Sequence, residues 1–277
     1  MPTDPTTCAD GSGAPPLLYE GTPAALAELA AACAQCRRCG LADSRQHVVV
    51  GRGNQAARLL LIGEAPGAEE DASGLPFVGR AGKLLEQLLA EAGFDSERDL
   101  FIANVIKCRP PGNRKPSRAE IAACLPWLAQ QIARQRPQLI GLLGATALEA
   151  LLGIKGGITK LRGQWLHAGG LPWPGNPAQP PQRPQKPPQK ALHNGLPNDL
   201  QQAVVLPIDW QNIGLMPLLH PSYLLRNPSG QEGTPKWLTL QDLRQIRCQL
   251  EGLGLANSSD LNRRRCMDSV EWGSTEQ

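Results

Sequence analysis

The sequence lacks the features that would place it in a membrane or outside the cell. Its longest apolar stretch, Leu139 to Ile154, is shorter than the roughly 20 residues that span a bilayer, and it contains Glu149. The first residues lack the basic region and the apolar run of a secretory signal. We therefore expect no transmembrane segment and a location in the reducing cytoplasm. There, the eight cysteines are expected to be free thiols or metal ligands rather than disulfides.

Strong charge is also absent, whereas loop-forming residues are abundant. The formal net charge of +3 over 277 residues is compatible with nucleic-acid binding but excludes a histone-like field. We expect three segments outside the packed domain: a disordered lead rich in proline, threonine and glycine (1–22), an insertion rich in proline and glutamine (about 169–200), and a disordered tail with a small basic cluster (251–277). The insertion interrupts one expected domain, residues 23–250. The insertion and the termini are the candidate sites for a protein partner.

Short apolar runs alternate with helical patterns along the expected domain. The apolar runs are 59–62, 100–105, 139–143 and 215–219, and the main helical patterns are 82–92, 117–136, 145–152 and 235–250. Continuous apolar runs separated by helices are typical of parallel strands that are buried on both faces. The sequence therefore predicts an α/β fold, a three-layer αβα sandwich around a central, mainly parallel four-stranded sheet.

Two separated pairs of cysteines predict a metal centre. Cys36 and Cys39 form a CxxC pair, whereas Cys108 and Cys124 lie far apart from them and from each other. Zinc sites and iron–sulfur clusters both use CxxC, but a zinc ribbon wants a second close pair, so the spacing favours iron–sulfur and leaves zinc open. Cys33 precedes Cys36 by three residues, so the pattern alone leaves either CxxC as the ligand pair.

Polar residues follow three of the expected strands. The first strand leads into a glycine-rich acidic turn that contains Glu64 and Glu70, the second ends at Asn104, and the last ends at His220. Ligands of open parallel sheets bind beyond the carboxyl ends of the strands. We therefore expect the acidic turn, the amide and the imidazole to meet at one rim of the sheet and to form an active site.

These residues stand in motifs that resemble those of family 4 uracil-DNA glycosylases, the iron–sulfur type of the uracil-DNA glycosylase superfamily. The motifs are GEAPG at 63–67 with Glu70-Asp71, PFVGRAG at 76–82, NVIKCRPP at 104–111 and HPSYLLR at 220–226. The resemblance covers about residues 33–165 and 213–247. It implies a monomeric enzyme that flips uracil out of DNA and hydrolyses the N-glycosidic bond, leaving an abasic site.

The resemblance also implies roles for single residues. Phe77 would stack on the uracil, the Asn104 amide would pair with its edge, and His220 would stabilise the charge that grows on the base. Glu70 would position the base or the water, and together with Glu64 it would favour the cationic sugar. The remaining residues of the base pocket would be Gly63, Ala65 and Gly67. Because Ala65 stands where the best-known branch of the superfamily has an aspartate, we expect a largely dissociative reaction.

Contacts to DNA and to a cofactor follow from the same resemblance. The DNA-contacting residues would be Lys107, Arg109, Arg114, Leu224, Leu225 and Arg226, with the two leucines as a wedge into the base stack. The ligands of a structural 4Fe–4S cluster would be Cys36, Cys39, Cys108 and Cys124, since Gly40-Leu41 follows Cys39 as in the family pattern.

Two other functions are compatible with the sequence. One is a non-catalytic iron–sulfur module for DNA binding or electron transfer on the same fold, and the other is a sibling glycosylase with a different base preference. The sequence leaves open the full range of bases, the preference for single or double strands, and which carboxylate, if any, activates water.

Overall fold

The computed structural model describes residues 23–167 and 212–255. The expectations for the lead 1–22, for the insertion 169–200 and for the tail beyond 255 therefore lie outside the described residues. Residues 251–255, which the sequence placed in the tail, continue the last helix instead.

The centre of the molecule is a five-stranded sheet with the order β1-β3-β2-β4-β5. Its strands are β1 (Arg52–Gly53), β2 (Leu59–Gly63), β3 (Leu100–Asn104), β4 (Leu139–Leu143) and β5 (Gly214–Leu218). Strands β2 to β5 are parallel, whereas β1 pairs antiparallel with β3. The predicted α/β class with a mainly parallel sheet is confirmed, but among the described residues the sheet has five strands rather than four. β1 was missed because two residues are too short to show a hydrophobic pattern.

Helices cover both faces of the sheet. They are α1 (Pro23–Ala34), α2 (Ala68–Ser73), α3 (Arg80–Glu91), α4 (Arg118–Gln135), α5 (Ala145–Leu152), α6 (Ile158–Leu161), α7 (Pro221–Arg226) and α8 (Pro235–Leu255). Apolar residues of α1, α4 and α5 share one core with the sheet, and those of α3, α7 and α8 share a second core on the opposite face. Every residue of β2 to β5 is buried, as the continuous apolar runs require. Within the described ranges, no helix combines the length and the apolar character that crossing a membrane needs.

The two ends of the chain that flank residues 168–211 are tied together. Leu166 and Leu215 form an isolated antiparallel bridge in which each amide donates to the other residue's carbonyl at 2.8 Å. Nearby, the Arg162 guanidinium pairs with Asp242 of α8, and Nε lies 2.7 Å from Oδ2. Gly163 makes room for this pair, because a Cβ at this position would lie 2.5 Å from Asp242 Oδ1.

We expect Asp242→Ala to destabilise the fold strongly. Asp242 is fully buried and the Arg162 side chain is only 18% exposed, so the variant leaves a largely buried guanidinium without its carboxylate. Loss of one partner of such a pair costs about 3 kcal/mol or more, which a lowered Tm reports. The matched control is Asp43→Ala, because the Arg37–Asp43 pair is exposed and such pairs contribute little. Equal Tm values for the two variants would contradict this account.

Candidate active site

The carboxyl ends of the strands bring the expected base-binding residues together. Gly63, the last residue of β2, pairs with Asn104, the last residue of β3. A Cβ on Gly63 would lie 2.4 Å from Asn104 Oδ1 and 2.5 Å from Phe77 Cζ, so the amide and the ring both close over this glycine. The ring centroids of Phe77 and His220 are 6.1 Å apart. An apolar ring, an amide and an imidazole therefore share one rim of the sheet.

Asn104 carries an unsatisfied acceptor at this rim. The residue is 1% exposed, and its side-chain Oδ1 is buried without a hydrogen-bond partner. A buried polar atom without a partner costs about 1–3 kcal/mol, so native proteins rarely keep one without a functional reason. The backbone carbonyl of Asn104 is satisfied separately, since Lys107 Nζ donates to it at 2.6 Å.

Phe77 is held in an unusual backbone conformation. Its φ of 56° lies in the left-handed region, which an aromatic residue rarely adopts. The bonds on both sides of Phe77 fix this turn: Arg52 Nε donates to the Pro76 carbonyl at 2.8 Å, and the next two amides donate to Glu70 Oε1 at 3.1 and 2.9 Å. Strain that the surroundings impose in this way is typical of functional sites.

Gly82 at the start of α3 allows this turn to pack against the helix. A Cβ on Gly82 would lie 1.9 Å from the Phe77 carbonyl oxygen, so any side chain there would displace the ring. The glycine of the PFVGRAG motif is therefore a steric requirement of the position of Phe77.

His220 is oriented by the start of α7. The Ser222 amide donates to Nδ1 at 3.2 Å, and the Ser222 hydroxyl lies 2.8 Å from the same nitrogen. Because Nδ1 accepts a hydrogen bond, the neutral ring carries its proton on Nε2. Burial lowers the pKa of His220 below its usual 6.5, the Glu64 carboxylate opposes this shift, and Arg226 adds to it. The imidazole is therefore neutral near pH 7 and presents an N–H donor.

Glu64 lies where the strand order of the sheet reverses. It directly follows β2, and its carboxylate accepts a hydrogen bond from the Thr146 hydroxyl of α5, which follows β4. The crevice between two such strands is the usual ligand site of an open α/β sheet. The effect of Glu64 on the pKa of His220 places its charge within electrostatic reach of the imidazole.

The expected metal ligands line a second site behind the rim. One cavity is bordered by Cys33, Cys36, Cys39, Cys108 and Cys124. Three of the sulfurs face N–H donors: Trp127 Nε1 is 3.2 Å from Cys36 Sγ, the Lys107 amide is 3.3 Å from Cys124 Sγ, and Arg45 Nη1 is 3.6 Å from Cys108 Sγ. Donors of this kind stabilise thiolate ligands. Burial raises the pKa of the Cys124 thiol to about 12.

Comparison with known proteins decides the family. The family model of the uracil DNA glycosylase superfamily matches residues 50–244. A type-4 uracil-DNA glycosylase of Thermotoga maritima is 41% identical over 217 residues, which cover 77% of this chain and 88% of that protein. The chain belongs to the type-4 uracil-DNA glycosylases.

Two further type-4 uracil-DNA glycosylases align over shorter stretches. The protein of Pyrobaculum aerophilum is 46% identical over 44% of this chain and 61% of its own length. The protein of Saccharolobus solfataricus is 50% identical over 40% of this chain and 51% of its own length. These two alignments each cover less than half of this chain.

Two of the expected DNA contacts are buried in this type-4 family member. Lys107 is 1% exposed, and its ammonium donates to the Asn104 carbonyl and to Gln131 of α4. Leu224 is fully buried in the core beneath α7. Neither side chain can reach a phosphate or a base stack, so the expectation of DNA contact was wrong for both.

The other expected DNA contacts lie closer to solvent. Arg226 and Arg114 are exposed, whereas Leu225 and Arg109 are half-buried. Arg114 forms a two-bond pair with Glu120, at 2.8 and 2.6 Å, and Arg109 Nε donates to Asn113 at 2.7 Å. Neighbouring side chains therefore hold Arg114 and Arg109 in place.

Glu70 lies beside the rim, but its carboxylate faces backbone amides. Oε2 accepts from the Gly67 amide at 3.0 Å, while Oε1 holds the turn after Phe77. Ala65 and Gly67 stand in the same turn between β2 and α2, and Ala65 packs against the core below. Glu70 therefore links the GEAPG turn to the loop that carries Phe77.

Sequence reasoning missed Arg52, which stands in the two-residue strand β1. Besides binding the Pro76 carbonyl, it pairs with Glu86 of α3 and with Glu97. A single arginine outside every motif gives no signal in the sequence. Thr146, which binds Glu64, was missed for the same reason. Ser222 lies inside the HPSYLLR motif, but nothing in the sequence indicates that it orients His220.

Proposed function

We propose that this chain is a DNA repair enzyme that flips uracil out of DNA and hydrolyses its N-glycosidic bond, leaving an abasic site. The observation that supports it most is the buried, unpartnered Oδ1 of Asn104 at the rim it shares with Phe77 and His220. Membership of the type-4 family favours this function over a non-catalytic iron–sulfur module.

Asn104 would select the base. The edge of uracil offers an N–H donor and a carbonyl acceptor side by side, and one amide supplies the complementary acceptor and donor. Cytosine inverts this pattern and would leave Oδ1 facing another acceptor. The Phe77 ring would stack on the extruded base, a contact that contributes about 1–3 kcal/mol.

His220 would stabilise the leaving group. As the glycosidic bond breaks, negative charge grows on the base, and a fixed N–H donor in a buried site is most effective at that point. The Ser222 amide holds Nδ1 as an acceptor, which leaves the Nε2 proton for the base oxygen. A neutral imidazole performs this role without charge of its own.

Carboxylate charge would stabilise the sugar rather than activate water. Glu64 is the acidic side chain of the rim, and the Thr146 hydroxyl fixes one of its oxygens. Its negative charge favours a cationic sugar, which agrees with a largely dissociative reaction and with Ala65 in place of an aspartate. Glu70 would act as a positioning residue through the backbone bonds described above.

Exposed cations would hold the DNA. The remaining candidates for phosphate contact are Arg109, Arg114 and Arg226, and Leu225 is the remaining candidate for the wedge. Contacts to phosphate provide affinity without sequence choice. The enzyme would therefore scan DNA irrespective of sequence.

The cysteine cavity would hold a 4Fe–4S cluster on Cys36, Cys39, Cys108 and Cys124. Its fit rests on the N–H donors that face three of the sulfurs. When bound, the cluster would supply a structural cross-link between the segments that follow α1 and β3.

A cleavage assay tests the function directly. Iron-replete full-length protein is incubated with duplexes that carry uracil, hypoxanthine or thymine opposite guanine, and alkali-labile breaks are scored. We expect breaks at uracil. Protein that binds the uracil duplex but leaves no abasic site would contradict the proposal and favour a binding module.

We expect Arg52→Ala to slow uracil excision through Phe77. Loss of the bond to the Pro76 carbonyl frees the strained turn, so part of the stacking energy is lost, and the single-turnover rate should fall by about 5- to 100-fold. In a double-mutant cycle with Phe77→Ala, the double variant should be little slower than Phe77→Ala alone. Arg98→Ala is the matched control, since this exposed arginine pairs with its neighbour Asp99 at the opposite end of the sheet. Independent losses from Arg52 and Phe77 would instead assign Arg52 a merely structural role.

A further inference from the structure

Five thiols, rather than four, line the cavity behind the active site. Cys33 in the last turn of α1 begins the run Cys33-Ala34-Gln35-Cys36-Arg37-Arg38-Cys39, and it is 1% exposed. The Cys36 amide donates to the Cys33 carbonyl at 3.0 Å, so the helical turn leads directly from Cys33 to Cys36. A cluster with one thiolate per iron needs only four of the five sulfurs.

Cys33 lies close to the other sulfurs. Cys33 borders the same cavity as Cys36, Cys108 and Cys124, and it is buried in the same core as Cys108 and Cys124. Cys39 also borders this cavity and packs against the same core. Cys33 and Cys39 are thus both near the sulfurs that would anchor the cluster.

Hydrogen bonds divide the five sulfurs into two groups. Cys36, Cys108 and Cys124 each face an N–H donor, as thiolate ligands usually do. In the described part of the chain, the sulfurs of Cys33 and Cys39 have no such donor. They also differ in exposure, because Cys39 is half-buried and Cys33 is buried.

We propose that Cys33 and Cys39 are alternative ligands for the fourth iron of the cluster. This inference rests on the cluster of the proposed function. In the exchange, the bond between iron and the Cys39 sulfur breaks and that thiolate takes a proton from water. Cys33 gives its proton to water and forms the new bond, so no electrons are transferred. The buried thiol thereby replaces the ligand that solvent reaches.

Single and double variants test the exchange. Cys33→Ala and Cys39→Ala should each keep iron, sulfide and visible absorbance near the wild-type amount per chain. The double variant Cys33→Ala/Cys39→Ala should lose nearly all three, as should Cys108→Ala. Cys248→Ala in α8 is the matched control and should keep its cluster, because it does not border the cavity. Loss in Cys39→Ala as complete as in Cys108→Ala would overturn the proposal.

Alkylation mapping provides a second readout, which reports on each cysteine separately rather than on the total iron content. In wild-type protein, iodoacetamide followed by peptide mass spectrometry should modify Cys39 or Cys33 but leave the other cavity cysteines protected. In Cys39→Ala, Cys33 should become protected until a chelator removes the iron. Cys33 that reacts equally with and without iron in this variant would overturn the exchange. Wild-type protein without iron and sulfide would instead contradict the cluster itself.

Discussion

Asn104→Ala is expected to lower the single-turnover rate of uracil excision by at least about 10²-fold. The variant removes both the amide donor and the acceptor Oδ1 that would read the edge of uracil. This Oδ1 is the buried atom that has no hydrogen-bond partner in the structure. A site built around hydrogen bonds discriminates strongly because its polar groups are buried. The rate is measured with excess enzyme on a duplex that carries one uracil opposite guanine.

Asn54→Ala is the control for this variant. Asn54 also uses its side-chain amide for structure, donating to the Arg98 carbonyl at 2.8 Å, but it lies at the opposite end of the strands. We expect its excision rate to stay within a few-fold of wild type. An Asn104→Ala rate in that same range, with normal iron content and Tm, would remove the basis of the proposed base recognition.

His220→Ala is expected to lower the rate by about 10²- to 10³-fold, the usual loss when one fixed donor to a developing negative charge is removed. The pH profile of the wild-type enzyme should carry a signature of the same side chain. Because burial lowers the pKa of His220, the neutral form that accepts from Ser222 dominates at and above pH 6.5. Protonation at lower pH adds a hydrogen to Nδ1, abolishes that bond and turns the ring. The rate should therefore be flat above pH 6.5 and fall only below it.

His47→Ala separates this effect from a general loss of imidazole. His47 is exposed, and its Nδ1 lies 2.8 Å from the Asp71 carbonyl, outside the rim. Its variant should keep the wild-type rate and the wild-type pH profile. Rates within a few-fold of wild type for both His220→Ala and Glu70→Gln would contradict leaving-group stabilisation as the main source of catalysis.

The architecture could be predicted because its signal is repeated along the chain. The four apolar runs correspond to strands that are buried on both faces of the sheet. The bounds of helices α3, α4, α5 and α8 lie within a few residues of the predicted helical patterns. Strand β1 and the short helices α2, α6 and α7 were not predicted, because elements of two to six residues are too short to show a hydrophobic period.

The sequence predicted which residues lie at the candidate site but not which way their side chains point. Asn104 and His220 meet because strand ends of a parallel sheet share one edge, whereas the loop between α2 and α3 brings Phe77 to that edge. Lys107 shows the limit of this reasoning: it stands between Asn104 and Cys108 in a motif that was expected to contact DNA, yet its ammonium turns inward to Gln131. A motif fixes the position of a residue in the chain, whereas packing decides which way the side chain points.

Glu70 and Arg52 show a second limit. The bonds by which they fix the turn of Phe77 go to backbone groups, which the sequence does not distinguish from one position to the next. From its place beside a glycine-rich turn, Glu70 was therefore expected to act in catalysis. In the structure its carboxylate instead accepts hydrogen bonds from backbone amides and holds the loop in place. Only coordinates reveal that these two side chains together fix the turn of Phe77.

The bridge between Leu166 and Leu215 makes residues 168–211 a natural place for protein engineering. Because Leu166 and Leu215 are paired, the two described chain ends that flank residues 168–211 are held close together, and the entropic cost of closing a loop between two such ends rises only slowly with its length. A shortened linker, an affinity tag or a fluorescent domain inserted there would begin and end next to these two paired residues. A bridge at the same position would let related proteins gain inserted segments without changes to their catalytic residues.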